Sequence, residues 1–269
     1  MDFKQLEKKR MICMGLYLLF LIFWLAGVFT VRDHRLPGIV MFGLGLACWL
    51  TVTFWGKRWY QADCARMRVL RGLGMTDARF IDKQEAAGMG FPAAKLVPGG
   101  RAADPPLFLQ TAQGTLFNRP VTLTELTQSY HDEGSTKRRY LIGTLARVSA
   151  PACREGLMIL CGKAYGGTLR AEDFKPLTLL DSQGHAYHAL GREGAALTEA
   201  QSAALDAFCA EHDKNAVFLT ENGSACVFLP MRFYSGSDTP RAPLTEKALE
   251  EFPLPELEGA LKVLDALGK

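Results

Sequence analysis

The sequence predicts an α+β protein, with an N-terminal two-helix transmembrane hairpin followed by a cytoplasmic domain that has a mainly antiparallel sheet and flanking helices. Three observations carry that reading. Two long stretches, 11–31 and 36–56, contain no charged residue. Beyond residue 107, short apolar or alternating runs recur in pairs around turn residues, which is the pattern of β-hairpins. Near the C-terminal end, two stretches place their leucines and phenylalanine at helical spacing.

Composition sets the frame for these elements. Of 269 residues, 48% are hydrophobic and 22% charged, the balance of a folded chain rather than a disordered one. The net charge of +3 excludes a nucleic-acid affinity driven by bulk charge. The 26 glycines and 13 prolines show no triplet period, which excludes collagen-like order.

The segment 1–10 reads as a basic cytoplasmic N-terminus, and 11–56 as the hairpin. A bilayer core of about 30 Å needs about 20 helical residues, and each uncharged stretch is long enough. Only Arg32, Asp33, His34 and Arg35 join them, so the two helices must run antiparallel. Pro37 reads as a helix start, where its missing N–H costs nothing. Gly43 and Ala47 form a small-xxx-small pair that would bring two helix backbones close. The first apolar stretch is longer than the apolar region of a secretory signal and is followed at once by a second, so cleavage is not expected.

Basic residues set the expected orientation. Lys4, Lys8, Lys9 and Arg10 precede the first span, and Lys57, Arg58, Arg66, Arg68 and Arg71 follow the second, against two arginines in the loop between. Both termini and everything after Gly56 are therefore expected in the cytoplasm, with Trp49, Trp55, Trp59 and Tyr60 at the inner interface. Residues 57–71 carry five basic residues and one acidic, whereas 72–269 carry 20 basic against 24 acidic. The positive charge thus lies where anionic lipid headgroups would contact it, beside Lys57, Arg58, Arg66, Arg68 and Arg71. Seven cysteines, an odd number without a CxxC, do not make a disulfide framework and fit a reducing compartment.

The stretch 57–74 lacks proline and is rich in helix formers, so it extends the second span as a juxtamembrane stalk ending at Gly72 or Gly74. Residues 75–106, with Pro92, Pro98, Pro105, Pro106 and Gly99-Gly100, read as a linker. The cytoplasmic domain, 107–269, then opens with runs 107–111 and 115–117 around a turn at Gln113-Gly114. Strands follow at 121–130 and 139–148 around the polar turn 131–136, and a fully apolar strand at 157–161. Runs 177–180 and 185–190 flank Asp181–Gly184 as a further hairpin. Thr198 caps a helix whose Ala204, Leu205, Phe208 and Cys209 share a face. Runs 216–220 and 225–229 flank Asn222-Gly223, the strongest short-range hairpin signal. In 253–267, Leu254, Leu257, Leu261 and Leu264 form one stripe. Its acidic companions favour packing on the domain over lying on a membrane.

The chemistry-bearing motifs are sparse. There is no phosphate-binding P-loop, nucleophile elbow, HExxH or kinase signature. His185 and His188 form an HxxH near Asp181, but on a strand two residues three apart face opposite ways, so no metal is assigned to them. His131, with Asp132 and Glu133 beside Lys137, Arg138 and Arg139, offers an acid–base set or a solvated hairpin tip. Cys64, near basic residues, is either a stalk cysteine or a reactive or acylated thiol. No catalytic, cofactor or metal residue is assigned.

The order of segments is familiar as a whole. Paired spans and a stalk lead to RRYLIGTLARV, LMILCGK, LTLLDSQGHAYHAL, LTEAQSAAL and VFLTENGSACVFLPM. This resembles the bacterial domain of unknown function 3137, a family of membrane proteins. The resemblance runs from about Leu107 onward. It implies a bacterial inner-membrane location and no reaction or ligand. The expected function is a non-enzymatic scaffold or regulatory interaction module that presents its domain to an unidentified protein partner. The alternative is a membrane-tethered enzyme using His131 or His185 as acid–base. A transport role is disfavoured, because neither span carries an ionisable residue.

Overall fold

The computed structural model describes residues 3–90, 100–102, 104–132, 137–150, 156–162, 178–180, 184–192, 195–212, 215–221, 223–231, 240–250 and 255–269. Expectations for the turn 133–136, Cys153, Asp181, Asn222 and Leu254, and for most of the proline-rich run, lie outside those residues. The chain forms two compact units, one of residues 1–72 with 234–251, the other of residues 73–233 with 252–269.

The first unit begins with α1 (Phe3–Val31) and α2 (Arg35–Thr51). The second helix continues through a π-helical turn at Val52–Gly56 into α3 (Lys57–Met67) and a second π-helical turn at Arg68–Gly72. Phe3–Val31 and the unbroken rod Arg35–Gly72 are both long and apolar enough to cross a membrane. The short Arg-Asp-His-Arg connection folds them into an antiparallel pair, as expected from its length.

The helices meet at glycines other than the predicted one. A side chain added at Gly38 would lie 2.6 Å from the Val31 Cα, and one at Gly27 3.2 Å from the Phe42 ring. At Gly45 it would touch the Phe20 carbonyl at 3.4 Å, whereas nothing lies within 4 Å of Gly43. The small-residue seam is therefore Gly27, Gly38 and Gly45 rather than Gly43 and Ala47. A pair four apart on one helix indicates a smooth face, but which face turns inward depends on the partner.

Beyond the apolar rods, a core forms around α3. Tyr60, Cys64 and Met67 are buried with Leu6 of α1 and with Leu244 and Leu249, the latter in α6 (Glu246–Glu250). The Tyr60 hydroxyl accepts from the Leu244 N–H and donates to the Ala242 carbonyl, each at 3.3 Å. Tyr60 is consequently no interfacial aromatic, in contrast to Trp55, which is 80% exposed. The segment 240–250 belongs with this unit and not with the sheet, so the expected single domain 107–269 is interrupted. Its four hydrophobic residues, Ala242, Leu244, Ala248 and Leu249, had no strand or long-helix periodicity to reveal where they pack.

The second unit is an antiparallel sheet with flanking helices. Its strands are β1 (Thr76–Ile81), β2 (Gly100–Ala102), β3 (Leu107–Leu116), β4 (Arg119–Asp132), β5 (Arg138–Ser149), β6 (Leu157–Cys161), β7 (Thr178–Leu179), β8 (Tyr187–Gly191), β9 (Ala216–Glu221) and β10 (Ser224–Leu229). The order across the sheet is β1-β3-β4-β5-β10-β9-β6-β8-β7, with β2 also on β4. The pairing of 216–221 with 224–229 and the 157–161 strand occur where the sequence put them, the latter buried along its whole length.

Two expectations are corrected here. The stretch 75–106 is no plain linker. It contains β1, the short helix α4 (Lys83–Gly88) and β2. Asp82 caps α4 by accepting from the Gln84 and Glu85 amides at 2.9 and 2.8 Å. Strand β1 escaped detection because it is an edge strand, charged, without a buried residue, and bulged at Asp77, whose φ is 52°. Gln113-Gly114 is likewise no turn, since β3 runs straight through it. Gly114 is there because Met75 crosses it, with the Met75 Cγ and the Thr76 carbonyl each 2.7 Å from where a side chain would start. The turn is Phe117-Asn118, both in the left-handed region at φ 52° and 58°, the pair a type I′ hairpin requires.

Helices cover one face of the sheet. Helix α5 (Glu199–Glu211) and helix α7 (Pro255–Leu267) pack on each other, α7 also on β10 and β5. The Phe208 ring meets that of Phe218 edge-on at 5.5 Å. Leu257, Leu261 and Leu264 are buried, so the C-terminal stripe faces the domain as expected. Arg119 grips the end of α7, donating to the Gly268 carbonyl at 3.0 Å and pairing with Asp265 at 3.3 Å. On the opposite face Phe108, Leu126, Leu145, Met158, Val217 and Phe228 form the second apolar cluster, joined by Ala86 of α4. Arg147 reaches past that cluster to donate to the Met89 carbonyl at 3.0 Å, holding the end of α4.

Alanine at Gly38 should lower the thermal stability of the detergent-solubilised full chain, because overpacking a close contact costs about 1–3 kcal/mol. Alanine at Gly43, with open space around it, should be neutral or mildly stabilising, since alanine outranks glycine by about 1 kcal/mol within a helix. Equal behaviour of the two variants in a melting experiment would refute this helix seam.

Candidate functional site

Two places concentrate chemistry, one in each unit. In the helical unit, a groove of about 880 Å³ lies beside the π-helical turn Val52–Gly56, between α1 and the rod. Ile12, Cys13 and Leu16 line one wall, Phe54, Trp55 and Trp59 the other, and Arg58 stands at its margin. Next to it, the Lys9 ammonium sits 4.1 Å from the centre of the Trp59 ring. Lys9 also pairs with Asp63, which is 3% exposed and has Arg66 3.7 Å away on its other side. A buried carboxylate needs such a partner, so Lys9 ties α1 to α3. The sequence reading counted Lys9 only as a topological charge and missed Asp63, because nothing along the chain marks which of 28 acidic residues will be buried.

In the sheet unit, a polar cluster lies between α5 and the β6–β8 edge. The helix starts with a capping box. Thr198 accepts from the Gln201 amide at 3.3 Å, and the Gln201 side chain accepts from the Thr198 amide at 3.0 Å. That start sets the phase of the helix, putting Leu205 and Phe208 into the core. Ser202, Asp206 and Cys209, spaced four and three apart, line an adjoining stripe. Opposite them, Cys161 and Tyr187 are directly paired across β6 and β8. The Tyr187 phenol hydrogen-bonds with Ser202, and the Cys161 thiol contacts that of Cys209. Nδ1 of His185 donates to the Asp206 carboxylate across 2.6 Å, and the His185 ring stacks on Tyr187 with centres 5.0 Å apart.

The electrostatics of the two thiols differ. Cys161 is 1% exposed, and the neighbouring Cys209 sulfur together with burial holds its thiol well above the ordinary range. Cys209, half-buried, accepts from the Cys161 S–H and is the thiol of the pair held down, although Asp206 opposes its ionisation. Burial, foremost, also raises the Tyr187 phenol.

The residues singled out from sequence fare unevenly. His185 does not sit on β8 but just before it, bonded to Asp206, while His188 is on β8 and exposed, opposite Leu160. Among the described residues, no three His, Cys, Asp or Glu side chains come together in a way that could hold a metal ion. His131 lies on β4 rather than in a turn, exposed and paired in register with Arg138. Arg138 pairs instead with Asp104, whose carboxylate also accepts from Ser129 at 2.8 Å. The Asp132 side chain and Glu133 lie outside the described residues. Cys64 is fully buried, out of reach of an acylating enzyme. Asp206, Tyr187 and the Cys161–Cys209 pair went unnoticed in the sequence, because about fifty residues separate the strand thiol from the helix thiol.

No family model matches this chain, and neither the curated proteins nor the solved structures contain a match to it.

Two substitutions test these structural assignments. Thr198→Ala should cost about 1 kcal/mol by removing the cap, read as a lower unfolding midpoint of the full chain. Tyr60→Phe strands the Leu244 amide in a buried setting, a loss of about 1–3 kcal/mol. It should therefore speed protease cleavage within 240–250, and an unchanged cleavage rate would count against the Tyr60 anchor.

Proposed function

We propose that this chain is an integral membrane protein of the bacterial inner membrane, with its termini and its α+β unit in the cytoplasm, and that it works as a scaffold or regulatory interaction module. One observation carries the reading: the rod Arg35–Gly72 passes without a break from an apolar stretch into a polar one, while its polar end is built into a folded core. An apolar rod has no place to hide from water except lipid, and a helix satisfies its own backbone there. The α+β unit is then displayed on a tether, and its exposed edge strand β1 offers backbone groups to a partner strand.

Lys57, Arg58, Arg66, Arg68 and Arg71 would meet anionic headgroups, each gaining about 1 kcal/mol near such a surface. Membership of the domain of unknown function 3137 family is part of the same proposal and rests on segment order and hydrophobic pattern. A second reading, a tethered enzyme, draws on the His185–Asp206 pair at 2.6 Å. Its test is His185→Ala combined with His131→Ala, and an unaltered cellular phenotype removes it.

Carbonate washing of native membranes should leave the protein in the pellet, and protease added to intact cells should spare the α+β unit. Replacing all five juxtamembrane basic residues by glutamine should yield a fraction of inverted molecules, seen as newly protease-sensitive tails. Recovery of the wild-type chain in the carbonate supernatant would overturn the proposal.

A further inference from the structure

The thiol pair is explained neither by tethering nor by strand docking. A cysteine that merely packs is surrounded by apolar side chains. Cys161 and Cys209 instead contact each other beside polar groups: Tyr187, paired with Cys161 across β6 and β8, bonds Ser202 on α5, and His185 bonds Asp206 one turn before Cys209. They come from different elements, the end of β6 and the last turns of α5. Two contacts that do not involve sulfur, His185 with Asp206 and Tyr187 with Ser202, seat the same stripe of α5 on the same sheet edge. The thiols are thus held against one another by their surroundings. Access is asymmetric: Cys161 is 1% exposed, whereas Cys209 is only half-buried. One accessible thiol backed by one inaccessible thiol is the arrangement that thiol–disulfide exchange uses.

We propose that Cys161 and Cys209 form a reversible dithiol–disulfide site, with Cys209 the attacking and Cys161 the resolving thiol, oxidised by a small disulfide of the glutathione class. The Cys209 thiolate attacks one sulfur of the small disulfide. That S–S bond breaks, one small thiolate leaves with the electron pair, and a mixed disulfide forms on Cys209. Cys161 then loses its proton and attacks the Cys209 Sγ, expelling the second small thiolate. The protein gives up two electrons and two thiol protons, and the small disulfide takes them to become two thiols. The product ties the end of β6 to α5. Closing the bond needs Cα atoms about 4.4–6.8 Å apart.

The test uses the full chain in detergent, incubated with glutathione disulfide, then alkylated and mapped by peptide mass. The wild-type protein should yield a peptide pair joined through Cys161 and Cys209, reversed by excess reduced glutathione. Cys161→Ser should stop at the mixed disulfide and carry glutathione on Cys209, whereas Cys209→Ser should carry none on Cys161. In the untreated protein, iodoacetamide should label Cys209 on the order of tenfold faster than Cys161, because reactivity follows access and only Cys209 is reachable from solvent. Recovery of both wild-type residues as free thiols, or a bond from either to another cysteine instead, overturns the proposal. Glutathione on Cys161 of the Cys209→Ser variant overturns the assigned order of attack. The wild-type map decides the matter even if a variant fails to fold.

Discussion

A buried peptide group must find a hydrogen-bond partner, and the two units of this chain meet that demand in different ways. The rods Phe3–Val31 and Arg35–Gly72 satisfy their peptide groups internally, which lets their stretches 11–31 and 36–56 be apolar throughout. The sheet unit satisfies its groups by pairing strands, and the long strands β4 and β5 are its backbone, paired from Val121 opposite Val148 to His131 opposite Arg138. Everything else in that unit is placed by this ladder. β3 and β2 occupy one side of β4, and β10 attaches to the far side of β5.

Because antiparallel register fixes which residues share a face, the ladder also decides where the helices lie. Phe218 faces Phe208 of α5, while Val217, its neighbour on β9, faces the opposite cluster. Both faces of the central strands are buried, which is why β6, β9 and β10 are apolar almost throughout rather than alternating. The same register brings Tyr187 beside Cys161, and the phase set by the Thr198 capping box brings Ser202, Asp206 and Cys209 over them. The polar cluster follows from two local choices, a strand pairing and a helix start.

The helical unit has its own logic. Its polar end is held by partners from distant sequence: Lys9 for Asp63, and Leu244 and Ala242 for Tyr60. A buried carboxylate and a buried phenol both demand specific partners, so these contacts select one arrangement where apolar packing alone would accept several.

By itself, the sequence determined what depends on neighbours along the chain. The two rods follow from runs without charge, the stalk from an absence of helix breakers, the β9–β10 hairpin from the turn residues between two apolar runs, and α5 and α7 from their 3.6-residue stripes. Misread features were those whose cause lies across space. Gly114 looked like a turn because the crossing of Met75 cannot be seen from β3, and β1 looked like a linker because an edge strand need not alternate. Only tertiary structure decided that residues 240–250 join α3. It alone decided that Gly38 rather than Gly43 forms the helix seam, and that Cys161 meets Cys209. The physical reason is the same in each case: periodicity records which side of an element is apolar, but burial of a single polar or sulfur atom is set by whatever packs against it.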